Sequence, residues 1–106
     1  MTYKLINYTA KLERADENER LIGVVFRELH ASKPPDIGYL VLRLEDGTFV
    51  HLFASEREGV TLTSLASFQA FQDGIDDRQI APPQFRGATV VGNYGLLETA
   101  TEMGTR

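Results

Sequence analysis

The chain contains no cysteine, which excludes disulfides, thiolate metal sites, cysteine nucleophiles and thiol redox switches. Positive charge is in the minority. Its 11 Lys and Arg stand against 15 Asp and Glu, for a formal charge of −4, the wrong sign for neutralising phosphates, so no nucleic-acid partner is expected. No apolar run approaches the ~18 residues of a membrane span, and the start, Met1-Thr2-Tyr3-Lys4-Leu5-Ile6-Asn7, breaks too soon for a signal peptide. The expectation is a cytoplasmic protein without a membrane partner. Phosphate-binding loops, dinucleotide fingerprints and Gly-x-Ser-x-Gly elbows are missing as well. His30 and His51 fall on different elements with no carboxylate at ligand spacing, so no metal site is expected.

What is present describes one domain. With 106 residues, 42% hydrophobic and 25% charged, the chain suits a single core. Residues 3–96 read as that domain and 97–106 as a flexible tail. Tyr3 to Ala10 reads as a strand. Asp16 and Glu19 make a capping-box-like start for a helix over about 17–31, in which Leu21, Ile22, Val25, Phe26 and Leu29 recur at helical spacing. Pro34-Pro35 stops it. Strands over Ile37–Leu44 and Thr48–Ala54 flank Glu45-Asp46-Gly47, a hairpin signal. Leu62, Leu65, Phe68, Phe71 and Ile75 form a one-sided stripe for a second helix, in which Gly74 is the weak point. Beyond Pro82-Pro83, Ala88–Leu96 offers a fourth strand centred on Val90 and Val91. The acidic groups Asp16 to Glu19 and Asp73, Asp76 and Asp77 read as solvated helix faces.

The resulting order, β-α-β-β-α-β, is that of an α+β ferredoxin-like sandwich, with helices over one face of a four-stranded antiparallel sheet. A sheet whose other face met water would alternate apolar with polar residues. This one does not. Leu40, Leu42 and Leu44 oppose Ile37, Tyr39 and Val41, while Phe49 and Phe53 oppose Val50 and Leu52. A second copy packed sheet against sheet is the economical cover, so a homodimer is expected.

Polar groups inside apolar strands are the site candidates. His51 is either a general base or a donor to a substrate oxygen, or else a histidine satisfied by one structural partner. Its face depends on the hairpin: a two-residue loop pairs it with Leu42, whereas a three-residue loop with a bulge moves the pairing by one. Asn7 orients a ligand oxygen or bonds to backbone. Tyr39, Tyr94 and Asn93 suit a ligand wall or a dimer seam alike. Arg43 binds an anionic group or pairs with a neighbour such as Glu45. If Asn7 and His51 share one cavity, an enzyme is favoured; on opposite sides of the sheet, they favour a non-catalytic module binding a small hydrophobic ligand.

The Tyr3-Lys4-Leu5-Ile6 strand, the amphipathic first helix, the Asp46-Gly47 hairpin with Phe49-Val50-His51, and Ser67-Phe68-Gln69-Ala70-Phe71 together resemble the dimeric α/β-barrel superfamily. Within it, the resemblance is to antibiotic-biosynthesis-monooxygenase-like proteins, over roughly Tyr3 to Tyr94. The resemblance implies a cofactor-independent monooxygenase of a small aromatic or phenolic substrate, requiring no metal, flavin, haem or nicotinamide. Phe26, Phe68 and Phe71 would then wall the ring, with Tyr39 and Tyr94 as further substrate contacts. His51 would accept the proton and Asn7 would bond a developing oxyanion. The haem-degrading branch uses an asparagine, a histidine and a tryptophan; Asn7 matches the first loosely, but the chain has no Trp.

Overall fold

In a computed structural model, which describes residues 2–56 and 62–96, one sheet lies under one helical layer. Residues 97–106, expected as a tail, lie outside the described residues. The elements are β1 (Thr2–Thr9), α1 (Ala15–Ser32), β2 (Ile37–Arg43), β3 (Thr48–Ser55), α2 (Ala66–Gln72), α3 (Ile75–Arg78) and β4 (Gln84–Ala88), with a short 3-10 turn at Leu12–Arg14. The sheet order is β2-β3-β1-β4, antiparallel throughout, which is the ferredoxin-like topology. Among the described residues no helix is long and apolar enough to cross a membrane.

The first helix begins at Ala15, and its N-cap, Arg14, makes no side-chain cap bond. The capping-box residues serve elsewhere: Arg43 reaches Asp16 at 3.0 Å and Glu19 at 2.6 Å, so its partners are these two rather than Glu45. The helix closes at Lys33, whose left-handed backbone (φ 48°) directs its N–H to the Leu29 carbonyl at 2.8 Å. The second helical stripe is split at Gly74 (φ 81°), where the chain turns between α2 and α3.

The fourth strand lies earlier than expected, at Gln84–Ala88 instead of Ala88–Leu96. The chain enters the sheet directly after Pro83. Running antiparallel to β1, β4 pairs Gln84 with Asn7 and reaches Tyr3 at Ala88, so β1 is nearly spent before the chain arrives at Val90. The β-branched pair has propensity but no strand left to bond, and Val91 is 98% exposed.

A three-residue hairpin loop sets the register. The Leu44 N–H bonds the Thr48 carbonyl at 2.8 Å, and Gly47 takes φ 90°, a conformation open to glycine. His51 therefore pairs with Val41, and Leu42 with Val50. Directly paired residues share a face. The rows Tyr8-Phe49-Arg43, Ile6-His51-Val41 and Lys4-Phe53-Tyr39 look toward the helices, while Asn7-Val50-Leu42 and Leu5-Leu52-Leu40 look away. The core unites Tyr8, Ala10 and Phe49 of the sheet side with Ala15, Ile22, Val25 and Phe71 of the helical layer.

Candidate functional site

Between the sheet and α2 lies a cavity of ≈ 290 Å³, floored by Ile6, Tyr8, Tyr39, His51 and Phe53 and walled by Phe68, Phe71 and Ile75. Its volume is at the lower end of small-molecule pockets and its lining is mainly apolar and aromatic, as such pockets usually are. A hydrogen-bonded polar cluster lies at the floor. His51, 4% exposed, holds the Tyr8 hydroxyl on Nε2 at 3.0 Å and the Tyr39 hydroxyl on Nδ1 at 2.6 Å.

This cluster belongs to a longer buried chain. The Arg78 Nε donates to the Asn18 Oδ1 at 2.9 Å, and the Asn18 Nδ2 donates to the Tyr8 hydroxyl at 2.9 Å. Asn18 is 0% and Arg78 2% exposed. Its other two nitrogens each donate once, to the carbonyls of Asp73 and Phe71, and the guanidinium lies 5.2 Å from the Phe71 ring centroid. A buried cation met by neutral acceptors is tolerable where each of its nitrogens has a partner.

The donors in this chain run one way. Arginine cannot accept a hydrogen bond, so the Asn18 oxygen must face it and the Asn18 amino group must face Tyr8. The Tyr8 hydroxyl, already an acceptor, needs an acceptor for its own hydrogen, and His51 Nε2 supplies it. His51 must then carry its proton on Nδ1 and donate to Tyr39. The opposite tautomer would leave the Tyr8 hydrogen buried without an acceptor, at a cost of about 1–3 kcal/mol. The order Arg78, Asn18, Tyr8, His51, Tyr39 is thus a directed series, ending in a Tyr39 hydroxyl whose hydrogen remains to be given.

Burial dominates the ionisation of the cluster. It pushes His51 down to about 4, leaving a neutral imidazole near pH 7. Burial likewise pushes Tyr8 up to about 12, against the opposing effects of its Asn18 bond and the Arg78 charge. Tyr39 is raised further, by burial and by the proximity of Tyr8. The phenols accordingly stay protonated.

Four expected site residues are brought together: His51, Tyr39, Phe68 and Phe71 all line the cavity. Phe26 stands one layer behind, stacked on Tyr39 with ring centroids 5.0 Å apart and planes 7° apart, so it braces the wall without forming it. Asn7 faces the opposite side of the sheet, because β1 presents Ile6 and Tyr8 to the helices and Asn7 lies between them. Tyr94 is fully exposed, at 101%, since the chain beyond β4 leaves the sheet. Asn93 instead accepts the Leu96 N–H at 3.3 Å.

Tyr8, Asn18 and Arg78 complete the cluster without having stood out in the sequence. A signal existed for the second: Asn18 precedes Ile22 and Val25 by four and seven positions, on the same helical stripe. The Asp16–Glu19 segment is therefore not uniformly solvated, since its asparagine points to the core. Arg78 follows Ile75 by one turn, but a lone arginine gives no sign of burial. Among the described residues, no group of three or more His, Asp or Glu could hold a metal.

No protein-family model matches the chain, and no curated protein is significantly similar to it. Solved structures are similar in fold. A candidate antibiotic biosynthesis monooxygenase from Nitrosomonas europaea superposes with TM-score 0.73 at 12% identity, covering 87% of this chain and 100% of its own. Another such candidate, from Bacteroides thetaiotaomicron, reaches 0.74 at 14% identity, covering 90% of this chain and 92% of its own. A third, from Caulobacter crescentus, reaches 0.67 at 16%, covering 86% and 90%. The chain has the antibiotic-biosynthesis-monooxygenase-like fold.

Proposed function

We propose that the cavity takes a small aromatic molecule bearing an oxygen substituent and that the protein is a cofactor-independent monooxygenase of that substrate. The observation that carries this reading is the convergence of polar groups on one end of an otherwise aromatic cavity: Tyr8, His51 and Tyr39 below, Phe68 and Phe71 around. Aromatic walls exclude water and hold a ring, and the polar floor fixes its oxygen. The names of the structural neighbours supply the reaction class. In such a reaction the substrate donates the electrons. At an anthrone methylene, dioxygen converts CH2 to C=O; one oxygen atom becomes the new carbonyl oxygen, the other leaves as water with the two hydrogens, and no external reductant is consumed. His51, neutral and bonded on both nitrogens, serves here as the hub holding two phenols rather than as the base.

The competing reading, a non-catalytic module for a hydrophobic ligand, draws support from Asn7 facing away from His51. Oxygen uptake with hydroquinones and anthrones separates the two. Turnover by the wild type, lost in His51→Ala and kept in Asn7→Ala, is the expected outcome. Tight binding without oxygen consumption would replace the enzyme by the binding module.

We further propose that two copies pack through the outward sheet face, where Leu40, Leu42 and Leu44 are 38%, 53% and 45% exposed. An apolar stripe of this kind left in water is an aggregation hazard. Sedimentation equilibrium at micromolar concentration should give twice the chain mass for the wild type. Leu42→Asp, at an outward and half-exposed position, should give a folded monomer, because a charge cannot be buried there without a partner. A monomeric wild type would remove this interface.

A further inference from the structure

Resting on the reading that the cavity holds an oxygen-bearing aromatic, we propose that it selects a ligand oxygen that accepts, a phenolate or a quinone-type carbonyl, through the Tyr39 hydroxyl. Asn18 and Arg78, beyond the ligand's reach, are the positioning residues that set this polarity. The hydrogen-bond series starts at a group that can only donate, so each member passes the same direction on, and the last hydrogen, on Tyr39, has no acceptor among the described residues. A cation at the head of such a series polarises every donor after it and strengthens the terminal one. Phe26, stacked on Tyr39, keeps that hydroxyl from swinging away.

The rest of the lining agrees in sign. Among the described residues around the cavity there is one cation, Lys4, and no carboxylate. Lys4 sits in the same row as Tyr39 with Phe53 between them, two strand spacings or about 10 Å apart across the sheet. Lys4 has no ion pair among the described residues. A ligand that donated its own hydrogen to Tyr39 would leave the Tyr39 hydrogen still unmatched, whereas an accepting oxygen satisfies it.

Asn18→Asp is the discriminating change. It preserves shape and still accepts from Arg78, but it turns an acceptor toward Tyr8. The Tyr8 hydroxyl then donates to the carboxylate, His51 must donate from Nε2 to Tyr8, and the Tyr39 hydrogen is drawn to His51 Nδ1. The series runs backwards, and the donor facing the ligand is lost although no residue lining the cavity is substituted.

Two readouts decide. Long-range ¹H–¹⁵N correlation should find the Nδ1–H tautomer of His51 in the wild type and the Nε2–H tautomer in Asn18→Asp. A merely structural asparagine would not move that signature. Binding of 4-nitrophenol, followed by absorbance at a pH where both its forms coexist, should favour the phenolate roughly tenfold in the wild type, the worth of one hydrogen bond to a charged acceptor. Tyr39→Phe and Asn18→Asp should both lose that preference. An Nε2–H wild type, or a preference for neutral 4-nitrophenol, would overturn the assignment of polarity while leaving the cavity a binding site. No binding of the probe in either form would overturn the site reading together with this inference.

Discussion

Asn18→Leu is expected to lower the free energy of unfolding by about 3 kcal/mol, measured by urea titration at neutral pH. Leucine shares asparagine's branched shape and is the better helix former, so helix propensity does not cause the loss, while its greater bulk adds some overpacking. The larger part comes from what the amide leaves behind. Asn18 is wholly buried, and its two ends satisfy Arg78 and Tyr8. Without it the Arg78 Nε points into an apolar site with no acceptor, and the Tyr8 oxygen loses its donor. The remaining guanidinium bonds to the Phe71 and Asp73 carbonyls hold Arg78 in place, so the cation cannot simply swing out to water. Surface pairs offer the contrast: Arg43 with Asp16 and Glu19 lies in solvent, where screening and side-chain entropy offset most of the attraction, and Arg43→Ala should barely move the curve. A loss below about 1 kcal/mol for Asn18→Leu would mean that the buried amide is dispensable.

The architecture was legible because it rests on periodicity and punctuation. β-rich runs on either side of the Asp46-Gly47 turn gave β2 and β3, helical spacing from Leu21 to Leu29 gave α1, and Gly74 marked the weak point between α2 and α3. Position β4 was not legible. The local sequence favours Val90 and Val91 as strand, but strand formation needs a partner, and where β1 ends is a property of the pairing rather than of those residues. The site divided on the same principle. Aromatic residues on the inner stripes, Phe68 and Phe71, followed from spacing. The face of His51 hung on one residue of loop length, and the three-residue hairpin turned it to the cavity while β1 turned Asn7 away. Buried polar networks are the hardest part to foresee, since Asn18 and Arg78 are residue types usually found in water, and only their joint satisfaction makes their burial affordable in energy.

Acid should expose the cost of keeping His51 neutral. Its folded value is about 4 against an ordinary 6.5, and burial is the cause. Below pH 6.5 the unfolded chain takes a proton that the folded chain refuses, so the unfolded state binds more protons and stability must rise with pH across this interval. Read downward, the contribution is complete above pH 6.5, drains as pH falls, and is gone at about pH 4, where the folded imidazole also protonates. A difference of 2.5 pH units corresponds to about 3 kcal/mol. The groups around the ring do not blur the interval, because Tyr8 and Tyr39 on the flanking strands titrate only in strong alkali, and Phe71 on α2 does not titrate. Glu17, Glu28 and Asp46 are each held below their ordinary values by hydrogen bonds, to Arg14, Ser67 and Thr48 respectively. Their losses begin only at the acid end of this range and are common to any variant of His51, so they cancel in the comparison. Urea unfolding of wild type and His51→Gln from pH 7 to 4 isolates the effect, since glutamine keeps a donor and an acceptor for the two tyrosines but cannot take the proton. The wild-type stability should fall toward that of the variant by about 3 kcal/mol over this range. Parallel curves would show that the imidazole protonates in place, and the fixed Nδ1–H donor would lose its basis.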